Sequence, residues 1–478
     1  MPPQPPVSEM HHWLGTETVD SRVGRFEFVG GYPTAQSVQQ LGDLLTFNRA
    51  VDVYLQNVAA VSMFKFRQGL SDFGIRHCHQ VAIWAELLDA HTLLLTPNSD
   101  TVYTITFLDL KGDGPTVVEL PPKMLGVFDD MWMRYIVDGG VSGPDKGEGG
   151  SYLLLPPDHH GDVPDSGYFV HRSPTYGVWV LMRAVDPDPR AASERSRQMQ
   201  IYPWAHADRA RPTSFADASG KFVDTIHSDD FEFFHELNAL VQQEPADAVG
   251  SLQRFYLASM GIVKGQPFEP AGARRALLSE AARVGAAMAR MICYGGRDPD
   301  ALVYPDRRWQ AAFVGGSHLF DSQGYENLDR RAAFAYAATG NTPAMASKVV
   351  GAGSQYIWTP RDAKGEYLQG HKSYRLRIPP DPPVKDFWSV IVYDAMSRSM
   401  LQNGQRFPTV SMYSKPQANI DGSIDVYFGP DAAPVGKEHN WIKTLPDRGW
   451  FPILRFYGPL QPFFDKSWKP GDIERIAA

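Results

Sequence analysis

Strand-like sequence is confined to two blocks, residues 81–185 and 367–460, and a long stretch of helical texture divides them. In the first block, LLLTPNSDTVYTITFLDL, GPTVVELPP, MWMRYIVDGG, SYLLLPP, GYFVHRS and YGVWVLMRAV are short β-branched and aromatic runs broken by Gly, Pro, Asn and Asp. Such runs pair locally, which predicts one antiparallel β domain of the sandwich or jelly-roll kind. The second block, YLQGHKSYRLRIPP, DFWSVIVYDAMS, GSIDVYFGP and GWFPILRFYGP, predicts another. The fold class expected is therefore mainly β with α: two antiparallel β-sandwich or jelly-roll-like domains joined by helical segments. The expected boundaries are an extension over 1–35, helices plus the first β domain over 36–185, a helical connection over 186–345 and the second β domain over 346–478.

Helical spacing of apolar residues appears in SVQQLGDLLTFNRAVDVYLQNVAAVSMFKFRQGLSDFG, predicting one or two helices, and in the Ala-rich RRALLSEAARVGAAMARMICYG. Ser228 is the expected N-cap of the amphipathic stretch that follows it. A chain of 478 residues is long enough for two or three domains with their own cores. The net charge of −8 and the lack of any run of five Lys or Arg argue against nucleic acid as a partner. No apolar run reaches the roughly 18 residues needed to span a bilayer, so no membrane insertion is expected. The opening MPPQPPVSEMHHWLG has neither a basic nor an apolar segment of a secretory signal. A cytoplasmic protein is expected as the chain is written, and an exported one if a signal has been removed. Cys78 and Cys293, the only cysteines, suit a reducing compartment, although a disulfide between them stays open, as does assembly into a homo-oligomer.

There is no Walker A loop, no strand-linked GxGxxG and no GxSxG elbow, which removes nucleotide-driven and α/β-hydrolase chemistry. GEGGS, at 147–151, lies between strands and reads as a turn rather than a phosphate cradle. His77 and His79 would share a strand face and offer two metal ligands, with a third required from elsewhere. His159 and His160 read as solvated, and His235, beside Phe231, Phe233 and Phe234, as packing.

Strand alternation in DDMWMRYIVDGG places Asp130, Trp132 and Arg134 on one face: a carboxylate, an aromatic wall and a guanidinium able to grip a carboxylate. A salt bridge on a solvent face is the competing reading. Asp138, Asp145 and Lys146 read as turn formers or an ion pair. In TPNSDT, Pro97 fixes φ while Asn98, Ser99 and Asp100 can bond their own backbone, a strong turn signal. Beyond it Tyr103 shares a face with Thr101, and it would add a phenol if that face meets Arg134. In the second block, Arg455 and Tyr457 share a strand face beneath Trp441, and Asp394, Ser397, Arg398 and Asn403 occupy a turn; these close a pocket or hold loops together.

LLLTPNSDTVYTITFLDL, DDMWMRYIVDGGVSGPDKGEGGSYLLLPP, ATGNTPAMASKVVGAGSQY, DFWSVIVYDAMSRSMLQ and KEHNWIKTLPDRGWFPILRFYGP together resemble the two-domain bacterial proteins in which domain of unknown function twelve fifty-four is followed by twelve fourteen. The likeness runs over residues 35–475. It implies two β-sandwich or jelly-roll-like domains joined by helices, in proteins that are often exported, and it supplies no catalytic residue.

The residues themselves point to an enzyme that hydrolyses an ester, amide or similar polar linkage of a small organic substrate in a cleft between the two β domains. In this reading Asp100 or Asp130 is the general base, Tyr103 a proton donor and Arg134 the anchor. Trp132, Asn98, Trp441, Arg455 and Tyr457 complete the substrate contacts, with no cofactor and no metal. The alternatives are a small-molecule or carbohydrate-binding module without catalysis, and a metal-dependent enzyme using His77 and His79.

Overall fold

The computed structural model describes residues 17–351 and 353–476, so the first 16 residues, read above for a signal, lie outside the described part. A small hairpin, Thr18–Ser21 with Gly24–Val29, leads into α1, Ala35–Asp72. α1 is one helix of 38 residues, begun by the Thr34 hydroxyl accepting the Ser37 N–H at 3.2 Å. The strands of the first domain are β1 (Gln80–Ile83), β2 (Tyr103–Asp109), β3 (Thr116–Leu120), β4 (Met124–Asp130), β5 (Tyr135–Gly140), β6 (Gly150–Leu155), β7 (Phe169–Arg172), β8 (Gly177–Ala184), β9 (Gln200–Pro203) and β10 (Ser214–Asp217). They form a six-stranded sheet in the order β10-β1-β2-β8-β4-β5 and a four-stranded sheet in the order β7-β6-β3-β9. The sheets of this domain thus reach past residue 185 into the stretch expected to be helical.

Helices α2 (Glu232–Gln243), α3 (Ser251–Met260), α4 (Gly272–Gly295) and α5 (Leu328–Ala337) fill the middle of the chain. Ser228 does not cap α2: the helix starts at Glu232, and the Ser228 hydroxyl donates instead to Glu236 Oε1 at 3.1 Å. α4 crosses α1 closely at Gly285, where a Cβ would lie 2.6 Å from the Tyr54 ring. The second domain contains β11 (Gln310–Ala311), β12 (Ser354–Trp358), β13 (Tyr374–Ile378), β14 (Val384–Asp394), β15 (Thr409–Ser411), β16 (Ile424–Gly429), β17 (Trp441–Lys443), β18 (Trp450–Pro459) and β19 (Ile473–Arg475). Its sheets run β11-β12-β18-β14-β15 and β17-β16-β13-β19.

Each domain is a two-sheet sandwich with its own apolar core. Val118 and Tyr152 meet Phe128 and Val180 in the first, and Leu376 and Phe428 meet Val390 and Leu454 in the second. The pairing is antiparallel throughout the sheet centres, as expected, and β6 with β7, β10 with β1 and β16 with β17 pair in parallel at edges. The outward faces of the two large sheets join the helices in a third core, where Tyr103, Ile105 and Trp179 of one domain share a cluster with Tyr356, Tyr393 and Ile453 of the other. Among the described residues no helix is long and apolar enough to cross a membrane.

Candidate functional site

The interface between the two large sheets is where apolar strands bring charge inward. Tyr103 on β2 lies directly across from Arg183 on β8, and Tyr356 on β12 directly across from Arg455 on β18. Each sheet therefore presents one arginine and one tyrosine side by side, and the four line a cavity of about 100 Å³. Period-two alternation explains the placement: Arg183 follows Trp179 and Leu181 on the same face of β8, and Arg455 follows Ile453 on the same face of β18.

Arg455 is held from behind. Its Nη2 donates to the Thr96 carbonyl at 2.7 Å and to the Tyr393 hydroxyl at 2.8 Å, and its ring-facing side sits 5.1 Å over Tyr356. Thr96 has φ +40°, unusual for a β-branched residue, and its N–H is fixed by the Arg398 carbonyl at 2.8 Å. Arg183 is less constrained, with its guanidinium beside the Tyr356 and Tyr103 hydroxyls. The Nε of both arginines and the hydroxyl of Tyr457 are buried without a partner. Neither guanidinium has a carboxylate within 4.0 Å among the described residues. Each guanidinium thus keeps one buried N–H without an acceptor, a donor that an anionic ligand could meet.

Asn98 ties the first wall together. Its amide nitrogen donates to the Tyr103 hydroxyl at 2.8 Å, and its oxygen accepts from the N–H groups of Asp100 and Thr101 at 2.9 and 3.0 Å. TPNSDT is thus both a turn and a support of the site. Because Tyr103 accepts from Asn98, its own phenolic proton is free for the chamber. Burial raises the Tyr103 phenol above its ordinary range, keeping it a donor at neutral pH.

Asp100 lies on the other flank of Arg455, where the Ser389 hydroxyl of β14 donates to it at 2.7 Å. Burial pushes its carboxyl up to about 6 against the opposing pull of Ser389 and Arg455. It does not line the chamber; Asp138 does. Asp138, at the end of β5, accepts from the Thr342 hydroxyl at 2.6 Å, and burial pushes its carboxyl up to about 6 as well. Thr342 belongs to the TGNTP strap, residues 339–343, which is bound to the first domain: the Asn341 N–H donates to Asp129 Oδ2 at 2.8 Å, and Gly340 packs on Trp179 at φ +95°.

Asp130, Trp132 and Arg134 do not share a strand face. β4 ends at Asp130, and residues 131–134 are the turn into β5, with Met133 at φ +57°. Asp130 accepts from the N–H groups of Trp132 and Arg134 at 2.7 and 2.9 Å and pairs with Arg134 Nε at 2.5 Å. The Trp132 indole N–H donates to Asn57 Oδ1 at 3.1 Å inside the helical core. Arg134 and Tyr103 therefore do not converge. Trp441, on the edge strand β17, lies outside the chamber, whereas Tyr457 pairs across β18 and β12 with Ser354 of the chamber wall. Of the residues singled out, Asn98, Tyr103, Arg455 and Tyr457 gather at the chamber, and Asp100 at its flank. Arg183, Tyr356 and Thr342 were missed.

His77 and His79 precede β1 in a turn rather than a strand, their rings stacked at 5.6 Å. No group of three His, Cys, Asp or Glu side chains arranged to hold a metal ion is present among the described residues. Cys78 and Cys293 are both buried and unpaired.

Two family models match the chain in order: Protein of unknown function (DUF1254) over residues 78–203 and Protein of unknown function (DUF1214) over residues 353–461. Each matched stretch supplies one wall of the chamber. No curated protein matches the chain. Among solved structures, the VPA0106 protein from Vibrio parahaemolyticus aligns with a TM-score of 0.54 at 18% identity, covering 90% of this chain and 100% of that one. An uncharacterized protein from Burkholderia cenocepacia aligns with a TM-score of 0.43 at 13% identity, covering 92% and 97%. The first of these shares the two-domain fold.

Proposed function

We propose, for a chain that belongs to the family in which a DUF1254 region is followed by a DUF1214 region, that it is an enzyme acting on a small organic anion in the chamber between its two β domains. The observation that carries this reading is the pair of buried guanidinium groups, Arg183 and Arg455, each with an Nε that has no partner. A carboxylate set between them would satisfy both at once, and the tyrosine hydroxyls would complete its hydrogen bonds.

The reaction proposed is hydrolysis of an ester, amide or similar polar linkage. Asp138 takes the role of general base in place of Asp100 and Asp130, since it lines the chamber and its carboxyl, pushed up to about 6 by burial, is ionised yet basic at neutral pH. It would take a proton from water as the water oxygen bonds to the carbonyl carbon; the bond from that carbon to the ester oxygen or amide nitrogen then breaks as Tyr103 gives its proton to the departing atom. The arginines would hold the substrate's free carboxylate in place throughout. A second reading, binding without turnover, is favoured by the hydrogen bond that Asp138 already accepts from Thr342.

The two readings part in one experiment. A panel of small esters and amides that carry a free carboxylate is incubated with the wild type, Asp138→Asn and Arg183→Met. Hydrolysis that rises with pH around a midpoint near 6 and falls at least about a hundredfold in Asp138→Asn is the expected result. Equal background in all three proteins discards the hydrolase and leaves the binding reading.

A further inference from the structure

A second, larger cavity of about 350 Å³ adjoins the arginine chamber. Thr96, Ala312, Phe334, Ala338 and Ile453 line both, so the same few side chains stand between them. The two differ in chemistry. Part of the larger cavity's lining is apolar, Ile292, Ala333, Ala337, Trp358 and Phe451, with α5 contributing Ala333, Phe334 and Ala337 besides Asp329 and Arg330. Its charged groups are gathered elsewhere, where Arg330 pairs with Asp298 at 2.5 Å and with Asp300 at 2.8 Å. Those three satisfy one another, and Arg297 and Asp329, which also line the cavity, are exposed. The arginines of the chamber each keep a buried Nε without a partner.

Resting on the reading of the chamber as an anion site, we propose that the ligand is amphipathic: a carboxylate whose head sits between Arg183 and Arg455 and whose hydrocarbon body passes Phe334 into the alanine-lined cavity. The chamber by itself holds little more than the head group. Joined to its neighbour it falls in the range of about 300–1,000 Å³ usual for small-ligand sites. An unbranched or singly ringed body suits a boundary made of two alanines, a threonine and two larger apolar side chains.

Calorimetric titration of the full chain with straight-chain carboxylates from acetate to decanoate, and with the matching alcohols, tests this. Affinity is expected to climb about fourfold for each added methylene, with each acid at least tenfold tighter than its alcohol. Ala337→Phe is expected to cost the long acids tenfold or more and to leave acetate unchanged. The wild-type length series is decisive without that variant, whatever the substitution does to folding. Acids that bind through Arg183 with no gain from length would overturn the amphipathic ligand and keep the anion site. A length series identical for acids and alcohols, and untouched by Arg183→Met, would overturn the anion site itself. Absence of binding for every acid would overturn both.

Discussion

Arg455 and Tyr356 face each other directly across adjacent antiparallel strands, and the guanidinium lies 5.1 Å over the phenol ring. In the opposite sheet Arg183 and Tyr103 face each other in the same cross-strand register. Neither guanidinium has a carboxylate within 4.0 Å among the described residues and each keeps a buried Nε without a partner, while the desolvation cost of a buried charge runs to several kcal/mol per ion. Cation–π contact returns only about 1–2 kcal/mol of it. The remaining cost is what an anionic ligand would relieve, and each prediction below probes part of that balance.

Arg183→Met exchanges an unpaired buried charge for an apolar chain of similar length. The fold is expected to gain stability or to stay within about 1 kcal/mol of the wild type, while carboxylate binding weakens by about 2 kcal/mol or more. Urea denaturation and calorimetry read the two sides separately. Arg455→Met differs: it strands the Thr96 carbonyl and Tyr393 hydroxyl, and a loss of about 1–3 kcal/mol is expected.

Asp138 sets a pH dependence. Its carboxyl titrates near 6 when folded, above the value of 3.8 for a free side chain, so the native state holds the proton more tightly than the unfolded state. Stability contributed by this group is therefore greatest below about pH 4 and is lost as pH rises toward and through 6, for a total on the order of 3 kcal/mol. Asp138→Asn is expected to be more stable than the wild type at pH 7, with the gap closing as pH falls to 4. Denaturation midpoints at pH 4, 5, 6 and 7 check it.

Gly340 holds the strap against the first domain. At φ +95°, and with a Cβ that would approach the Trp179 ring at 3.1 Å, alanine there meets both backbone strain and a crowded neighbour. Gly340→Ala is expected to cost about 2 kcal/mol, read as a lowered thermal midpoint. Thr342→Val should cost less, about 1 kcal/mol, while pushing the Asp138 carboxyl higher still.

The thiols offer a check on packing. Burial pushes both Cys78 and Cys293 up to about 12, so neither forms thiolate at neutral pH. A thiol reagent at pH 7.5 should label neither in the native protein and both after denaturation.

Much of this was legible in the residues. Two runs of turn-punctuated strands announced two β domains, and the Asn98 side chain does what TPNSDT implied, closing a turn with its own backbone. The hairpin after β4 was not legible as such. DDMWMR alternates like a strand, but the Asp130 carboxylate captures two backbone N–H groups and bends the chain there, a local bond that periodicity does not register. Arg183 left a signal that went unused: a lone arginine in phase with Trp179 and Leu181 on an otherwise apolar strand must face whatever that strand faces. Which strand meets which across the domains is a long-range fact, and nothing local in YGVWVLMRAV points to Tyr356.

The central claim, that Arg183 and Arg455 form one anion site, is tested most directly by anomalous diffraction from crystals soaked in sodium bromide. An ordered bromide between the two guanidinium groups in the wild type, gone in Arg183→Met at the same concentration, is the result expected. A chamber that takes up no bromide while other surfaces do would contradict it.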